Sequence, residues 1–336
     1  MKKTIYRLIT GLLMVALTTA YAGENKKLAQ SGFQFLSVIS DARAAAMADA
    51  MTSLEIGSSA LFFNPAGMAD MEGLVDISAS MNQWIADISH NAFSLAVSPA
   101  GGRYGVFGFS FQNVNYGDFY GTRVDKSTDL GYTDTGLFQL SSMAAGIGYA
   151  KRLNDRFSVG GQVRWVRQDL GESVIPVVSA ELDTSLEAVS NVLEPLAFDF
   201  GTQFKTGFKS LVFGMSVRNF SKEIEYVEEG FQLPLVFNLG ISMDVMDFWE
   251  NAPLEQSLFV SIDASHYRSH PEQLKFGLDY TLMDILSLRG GYVTNNDEDG
   301  FSFGVGVSYF GVTFDYAYSP FGIFDKVQRM TARFSM

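Results

Sequence analysis

QLKFGLDYTL, residues 273–282, puts Leu274, Phe276, Leu278, Tyr280 and Leu282 on one side of an extended chain. Gln273, Lys275, Gly277, Asp279 and Thr281 fall on the other. A period of two is the side-chain period of a β-strand, and no helix can keep both sets on separate faces. The same rhythm recurs on both sides of this stretch. Phe301, Phe303, Val305, Val307 and Tyr309 alternate with Ser302, Gly304, Gly306 and Ser308. Val312, Phe314, Tyr316 and Tyr318 alternate with Thr313, Asp315, Ala317 and Ser319. Leu235, Phe237, Leu239, Ile241 and Met243 alternate with small or polar residues.

Reading outward in this way gives about fourteen strands, near 74–80, 90–98, 103–114, 138–151, 156–169, 195–207, 210–220, 233–245, 254–266, 272–282, 285–294, 301–310, 312–319 and 327–336. Lengths of about 9–11 residues suit a tilted crossing of a hydrocarbon layer. The connections alternate in length. Those at 99–102, 153–155, 208–209, 283–284 and 311 are short; those at 115–137, 170–194, 221–232, 267–271, 295–300 and 320–326 are longer. The connection 246–253 breaks the rule. Short turns on one side and longer loops on the other are the habit of outer-membrane barrels. The expectation is an all-β fold: an antiparallel transmembrane β-barrel of about 14 strands, residues 74–336, with the N-terminal helical segment and the C-terminus on the side of the short turns.

Composition agrees with two-faced strands. The 336 residues are 47% apolar and 14% aromatic, with 29 Phe and 32 Gly, yet only 18% are charged. Mean hydropathy is +0.10, low for a helical membrane protein. A soluble β-sandwich also alternates. Against it stand the strand lengths, the Gly, Ala and Ser of the second face, and the aromatics Phe93, Trp165, Tyr292 and Tyr318 read as strand-end girdle positions. Net charge is −13, which opposes binding to a nucleic-acid backbone. The chain has no Cys, which removes disulfides, thiol catalysis and Cys-ligated zinc.

At the start, Lys2, Lys3 and Arg7 precede an apolar run from Leu8 to Leu17, and Ala20-Tyr21-Ala22 follows. This reads as a secretory signal peptide, residues 1–22, cleaved after Ala22. Its loss removes three basic groups and no acid, taking the charge to −16. Export to the bacterial outer membrane is the expectation.

Residues 23–73 carry no period of two. Asp41–Met51 (DARAAAMADAM) lacks β-branched residues and favours helix. Ser58 or Ser59 is a candidate cap for a second turn, and Asn64-Pro65 a start signal for a third. About forty residues cannot form a domain alone, so this segment must pack against or inside the barrel as a hatch.

If the apolar set faces lipid, the opposite set lines the lumen. It contains Arg164, Lys205, Arg218, Asp263, Lys275, Asp279, Arg289, Asp315, Arg329 and Arg333. Charges there need partners. A network is expected across the last six strands, bracing the wall, with Asp279 paired to Lys275 or Arg289. Catalytic and cofactor chemistry is not visible. His266 and His270 stand four apart but next to Pro271, in a stretch that reads as loop, so helical metal spacing does not apply. NNDEDG, residues 295–300, lacks the spacing of a calcium loop. No metal, no cofactor and no enzymatic activity are expected.

Gly32-Phe33-Gln34-Phe35-Leu36, Ala42-Arg43-Ala44-Ala45-Ala46-Met47-Ala48-Asp49-Ala50 and Ala60-Leu61-Phe62-Phe63-Asn64-Pro65-Ala66-Gly67 together resemble the PorV/PorQ family of outer-membrane proteins. The motif positions are Arg43, Met47, Asn64, Pro65, Ala66 and Gly67; Ala48 stands where the family usually has Gly. The Asn-Pro-Ala-Gly box is shared with FadL-like barrels. The resemblance implies a fourteen-strand FadL-like barrel with an N-terminal hatch. It also implies a role in type IX secretion, receiving C-terminal signal domains of secreted cargo and passing them to translocon or attachment partners. Outer-membrane lipid is the other partner, and the barrel is expected to be monomeric. The loops 115–137 and 170–194 are the candidate contact surfaces, on length alone. The alternative is a FadL-like transporter of small hydrophobic compounds, with the hatch gating the lumen.

Overall fold

The computed structural model describes residues 31–178, 184–226, 230–249, 255–296, 300–322 and 326–336. The signal-peptide reading falls on residues outside this set, as do residues 297–299 of the NNDEDG stretch. Strands β1 (Val75–Gln83), β2 (Ser89–Val97), β3 (Val106–Val124), β4 (Tyr132–Asn154), β5 (Phe157–Val178) and β6 (Thr184–Leu193) come first. Then follow β7 (Leu196–Lys205), β8 (Val212–Phe220), the short β9 (Ile224–Glu225) and β10 (Gly230–Phe231), and β11 (Val236–Asp244). The last are β12 (Gln256–Tyr267), β13 (Gln273–Leu282), β14 (Leu286–Val293), β15 (Phe301–Tyr309), β16 (Val312–Pro320) and β17 (Lys326–Ser335).

Fourteen of these described strands close into one antiparallel barrel. Each pairs with its neighbours in the chain, except that β5 skips β6 to reach β7, and β8 skips β9 and β10 to reach β11. The seam is β1 against β17, in register from Asp76↔Ser335 to Gln83↔Gln328. Full closure leaves no free edge in the wall.

Burial alternates along the strands. In β15, Phe301, Phe303, Val305 and Val307 are exposed, while Ser302, Gly304 and Gly306 are buried. Phe107, Ile147, Phe200, Phe213, Leu288 and Phe314 continue the exposed set around the barrel. An apolar belt of this extent belongs in hydrocarbon. Phe93, Trp165, Tyr292 and Tyr318 all point outward. Phe93, however, pairs with Ala79 and Phe111 in mid-strand rather than at a strand end. Ile147 lies near the middle of the β4 wall and is 73% exposed. Arginine there should cost about 2–4 kcal/mol. Denaturant unfolding from lipid vesicles should show that loss for Ile147→Arg and not for Ile147→Leu.

Two connections differ from the sequence reading. Much of 115–137 is strand, because β3 and β4 run on beyond the wall as a ribbon to Val124 and Tyr132. Much of 170–194 is strand too, because β5 and β6 pair from Gln168↔Leu193 outward. Past Asp169, β4 no longer pairs with β5, so two ribbons separate. They carry register shifts at Asn115/Asp118 and at Asp169/Glu172. The β3–β4 ribbon is mostly exposed beyond Tyr116, so nothing there imposes an apolar alternation. The connection 221–232 also holds the small β9–β10 hairpin.

The segment before β1 lies inside the barrel and forms its core. Contrary to the expectation that it lies on the short-turn side, its first described residues are at the end with the longer connections, where Ser31 bridges Gln232 and Gly32 N–H donates to the Gln232 carbonyl at 3.1 Å. It leaves at the opposite end, where Val75 and Met336 exchange backbone hydrogen bonds. Helix α1 (Ala42–Ala46) is capped by Asp41, which accepts from Ala44 N–H at 2.9 Å. It is much shorter than 41–51, since the chain must turn back within the lumen at Ala48 and Asp49 (φ 52° and 63°). The remaining pieces are 3-10 turns at Gln34–Ser37, Gly57–Phe62 and Pro65–Met68. The second starts at Gly57 without a side-chain cap. Ser58 instead donates its N–H to Asp76 at 2.8 Å.

Candidate functional site

The segment is bound to the wall on nearly every side, and the small face of the strands allows this. Met47, Met51, Leu54, Leu61, Phe63 and Met68 pack together with wall residues Ala96, Val106 and Ala150. Phe33 and Leu36 pack with Val114, Val166 and Leu233. Wall glycines sit where the segment comes closest. A Cβ on Gly160 would lie 2.5 Å from Ala66 N and from the Pro65 carbonyl carbon. Asn64 is the fastening of the Asn-Pro-Ala-Gly box. Its side chain accepts from Ala66 N–H at 3.1 Å and donates to the carbonyls of Thr52 at 2.6 Å and Thr202 at 3.1 Å. Pro65 begins the turn because its missing N–H costs nothing there.

The charged residues of the wall fall into separate groups. Asp279 lies 2.9 Å from Arg43 Nε of α1 and 3.0 Å from Arg289 Nε. Arg289 also reaches Asp315 at 2.5 Å. Lys275 binds Asp49 at 2.6 Å and the Tyr267 hydroxyl at 2.9 Å. Asp263 faces Lys275 across the ladder, yet it accepts the N–H of Thr52 at 2.9 Å. Arg333 pairs with Asp76 at 2.8 Å. Arg329 donates to the Ile39 carbonyl at 2.8 Å and to Ser319 Oγ at 3.0 Å. On the other side, Arg164 pairs with Asp199 at 2.8 Å and bonds Asn219, while Lys205 meets Glu55 and Asp70. Arg218 lies 5.7 Å over the Phe63 ring. Many partners thus belong to the hatch rather than to the neighbouring strand.

Above this packed half lies a cavity of about 490 Å³ toward the end with the longer connections. Its walls include Phe35, Trp84, Tyr116, Tyr267, Phe301 and Phe321, with Ile39, Asp49, His90, Lys275 and Arg329 among them. Trp84 meets Phe321 edge-on at 4.8 Å, and the Arg329 guanidinium lies 5.5 Å from the Trp84 ring centre. At the rim, Tyr226 stacks on Phe231, which stacks on Phe33. Burial, then the nearby Asp169, raises the Tyr226 hydroxyl pKa, keeping it a neutral donor. Concave, aromatic-lined space with a few polar groups is the usual form of a small-molecule site.

Arg43, Met47 and Asn64–Gly67 of the motif all lie in the hatch, with Met47, Asn64, Pro65, Ala66 and Gly67 buried. Sequence reading passed over Asp49, Trp84 and Tyr267. Asp49 was detectable as a carboxylate in a run of Ala and Met. Trp84 lies beyond the 74–80 strand assignment, and only the β1 ladder reveals its place at the lumen's mouth.

No family model and no curated protein sequence matches this chain. Solved structures do. A CymD monoaromatic hydrocarbon channel superposes with TM-score 0.56 at 11% identity, over 88% of this chain and 97% of that one. The toluene transporter TodX of Pseudomonas putida gives 0.54 at 13%, over 87% and 95%. A FadL homologue of Pseudomonas aeruginosa gives 0.50 at 15%, over 88% and 98%. At such identities what is shared is the fold: a fourteen-strand barrel of the FadL type.

Proposed function

We propose that the chain is an outer-membrane barrel that takes small hydrophobic compounds into its outer cavity, with residues 23–73 acting as a hatch within the barrel 74–336. The observation carrying this reading is the 490 Å³ aromatic-lined cavity resting on the hatch. The fold shared with channels described as carrying toluene and monoaromatic hydrocarbons supports it. A signal peptide cleaved after Ala22 would deliver the chain to that membrane. The test is titration calorimetry of the detergent-purified protein with toluene, together with uptake by cells lacking the gene. Saturable binding and reduced uptake are expected. No binding and unchanged uptake would refute the reading.

The secretion role implied by the sequence resemblance is the second reading. One observation favours it: Leu61, Phe63 and Met68 are buried in the inner half, so the cavity does not continue past the Asn-Pro-Ala-Gly box. Affinity purification from the native envelope separates the two. Recovery of secreted proteins sharing one C-terminal domain belongs to the secretion reading alone.

A further inference from the structure

The rim with the short connections is divided by charge. The connections β2–β3, β4–β5 and β7–β8 follow one another around it. Their residues 98–105, 151–157 and 206–211 hold Arg103, Lys151, Arg152, Arg156 and Lys209 against one acid, Asp155. The next two connections, β11–β12 and β13–β14, hold Asp244, Asp247, Glu255 and Asp284 and no base. Arg152 is engaged by Asp70 of the hatch at 3.1 Å. Among the described residues the other four bases make no ion pair.

Two of them meet at the β7–β8 turn. A Cβ on Gly207 would lie 3.2 Å from the Arg156 guanidinium, so this exposed side chain covers the turn. The Lys209 ammonium donates to the Asp247 carbonyl at 2.9 Å and lies 6.0 Å over the Phe248 ring. Phe208, also exposed, meets that ring at 6.3 Å. Just inside the membrane edge, on the outer face of the wall, Phe204 of β7 pairs with Phe157 of β5 and Phe213 of β8. The apolar belt therefore runs down to a pair of bases. Such side chains lay their stems on apolar surface and keep their charge in water, and anionic lipid attracts them there. Barrels of this kind turn their short connections to the periplasm, so the headgroups in reach belong to the inner leaflet. A zwitterionic headgroup brings its own cation to two bases; an anionic one does not.

We propose that this stretch of rim binds an anionic phospholipid of the inner leaflet, with its phosphate on Arg156 and Lys209 and its acyl chains along Phe157, Phe204 and Phe213. The surface continues the lipid-facing belt and is independent of what the cavity carries. The test is native mass spectrometry of the full chain in detergent, titrated with phosphatidylglycerol or with phosphatidylcholine, reading the affinity for the first lipid bound. Phosphatidylglycerol is expected to bind tighter. Arg156→Gln or Lys209→Gln should each weaken it about fivefold, the scale of one base at an anionic surface, and leave phosphatidylcholine unchanged. Arg156→Lys keeps the charge and should keep most of the affinity. Arg123→Gln with Lys126→Gln removes charge from the exposed β3–β4 ribbon instead and should change neither lipid. Equal affinity for the two lipids overturns the proposal, as does an equal loss in the ribbon variant or no loss in the rim variants.

Discussion

Asp279→Ala should be the most destabilising single side-chain deletion in the wall, lowering stability by about 3–5 kcal/mol. The carboxylate sits between two guanidiniums, Arg43 from the hatch and Arg289 from the wall. Its removal leaves both in the lumen with Asp315, which is ion-paired with Arg289, as the nearest remaining counter-charge for Arg289. The Arg43 side chain keeps 22% exposure, so water softens its part of the loss. Arg289, at 5%, has no such relief. The measurement is the temperature at which the barrel loses its compact form on a semi-native gel. A marked drop is expected, partly restored in Asp279→Ala with Arg43→Met, because the double change removes one orphaned charge. An unchanged transition temperature would mean that these ion pairs contribute little beyond what water supplies.

Gly160→Leu should convert a closed barrel into a conducting one. The strand β5 aims Ser158, Gly160, Gln162 and Arg164 inward, and at Gly160 the hatch backbone touches the wall. A leucine must displace Pro65 and Ala66, at a cost of about 1–3 kcal/mol in strained packing. It thereby lifts the Asn-Pro-Ala-Gly turn away from its place. Gly161 is the control. Its added Cβ would meet only Asp199 O at 3.4 Å and the Phe200 ring from 3.6 Å, an ordinary contact on the outer face. In planar bilayers, Gly160→Leu should show ion steps absent from both Gly161→Leu and the unmodified chain. Silence from Gly160→Leu would mean that the hatch yields elsewhere and keeps its seal.

The strands of the wall were legible because each has one face in hydrocarbon and one against the hatch, and that contrast is written at every second residue. Legibility failed where a strand has no such contrast. The β3–β4 ribbon past Asn115 is exposed along most of its length, so its backbone pairing is what defines it, and the β5–β6 ribbon past Asp169 is likewise defined by its pairing. In the hatch, Asn64 announced its turn through capping chemistry, whereas the Ser58 or Ser59 cap did not form and the Asp41 cap was passed over. The shortness of α1 did not show, since Ala48 and Asp49 break the helix under the constraint of the lumen's width. The lumenal charges were found by strand parity. Their partners were not, because Asp49 and Thr52 are brought to Lys275 and Asp263 by a segment more than two hundred residues away. Parity says which way a side chain points and nothing of what meets it.

The seam between the first and last strands also fastens the contents of the bore. Arg329, Thr331 and Arg333 of β17 hold the Ile39 carbonyl, the Ala42 N–H and Asp76 respectively. Strand β17 is therefore also a clasp on the segment inside the barrel. Around an empty bore Arg329 and Thr331 would lose the Ile39 carbonyl and the Ala42 N–H, whereas Arg333 would keep Asp76 of β1. One strand thus both closes the ring and grips what fills it, so the cylinder and its filling share a single set of fastenings.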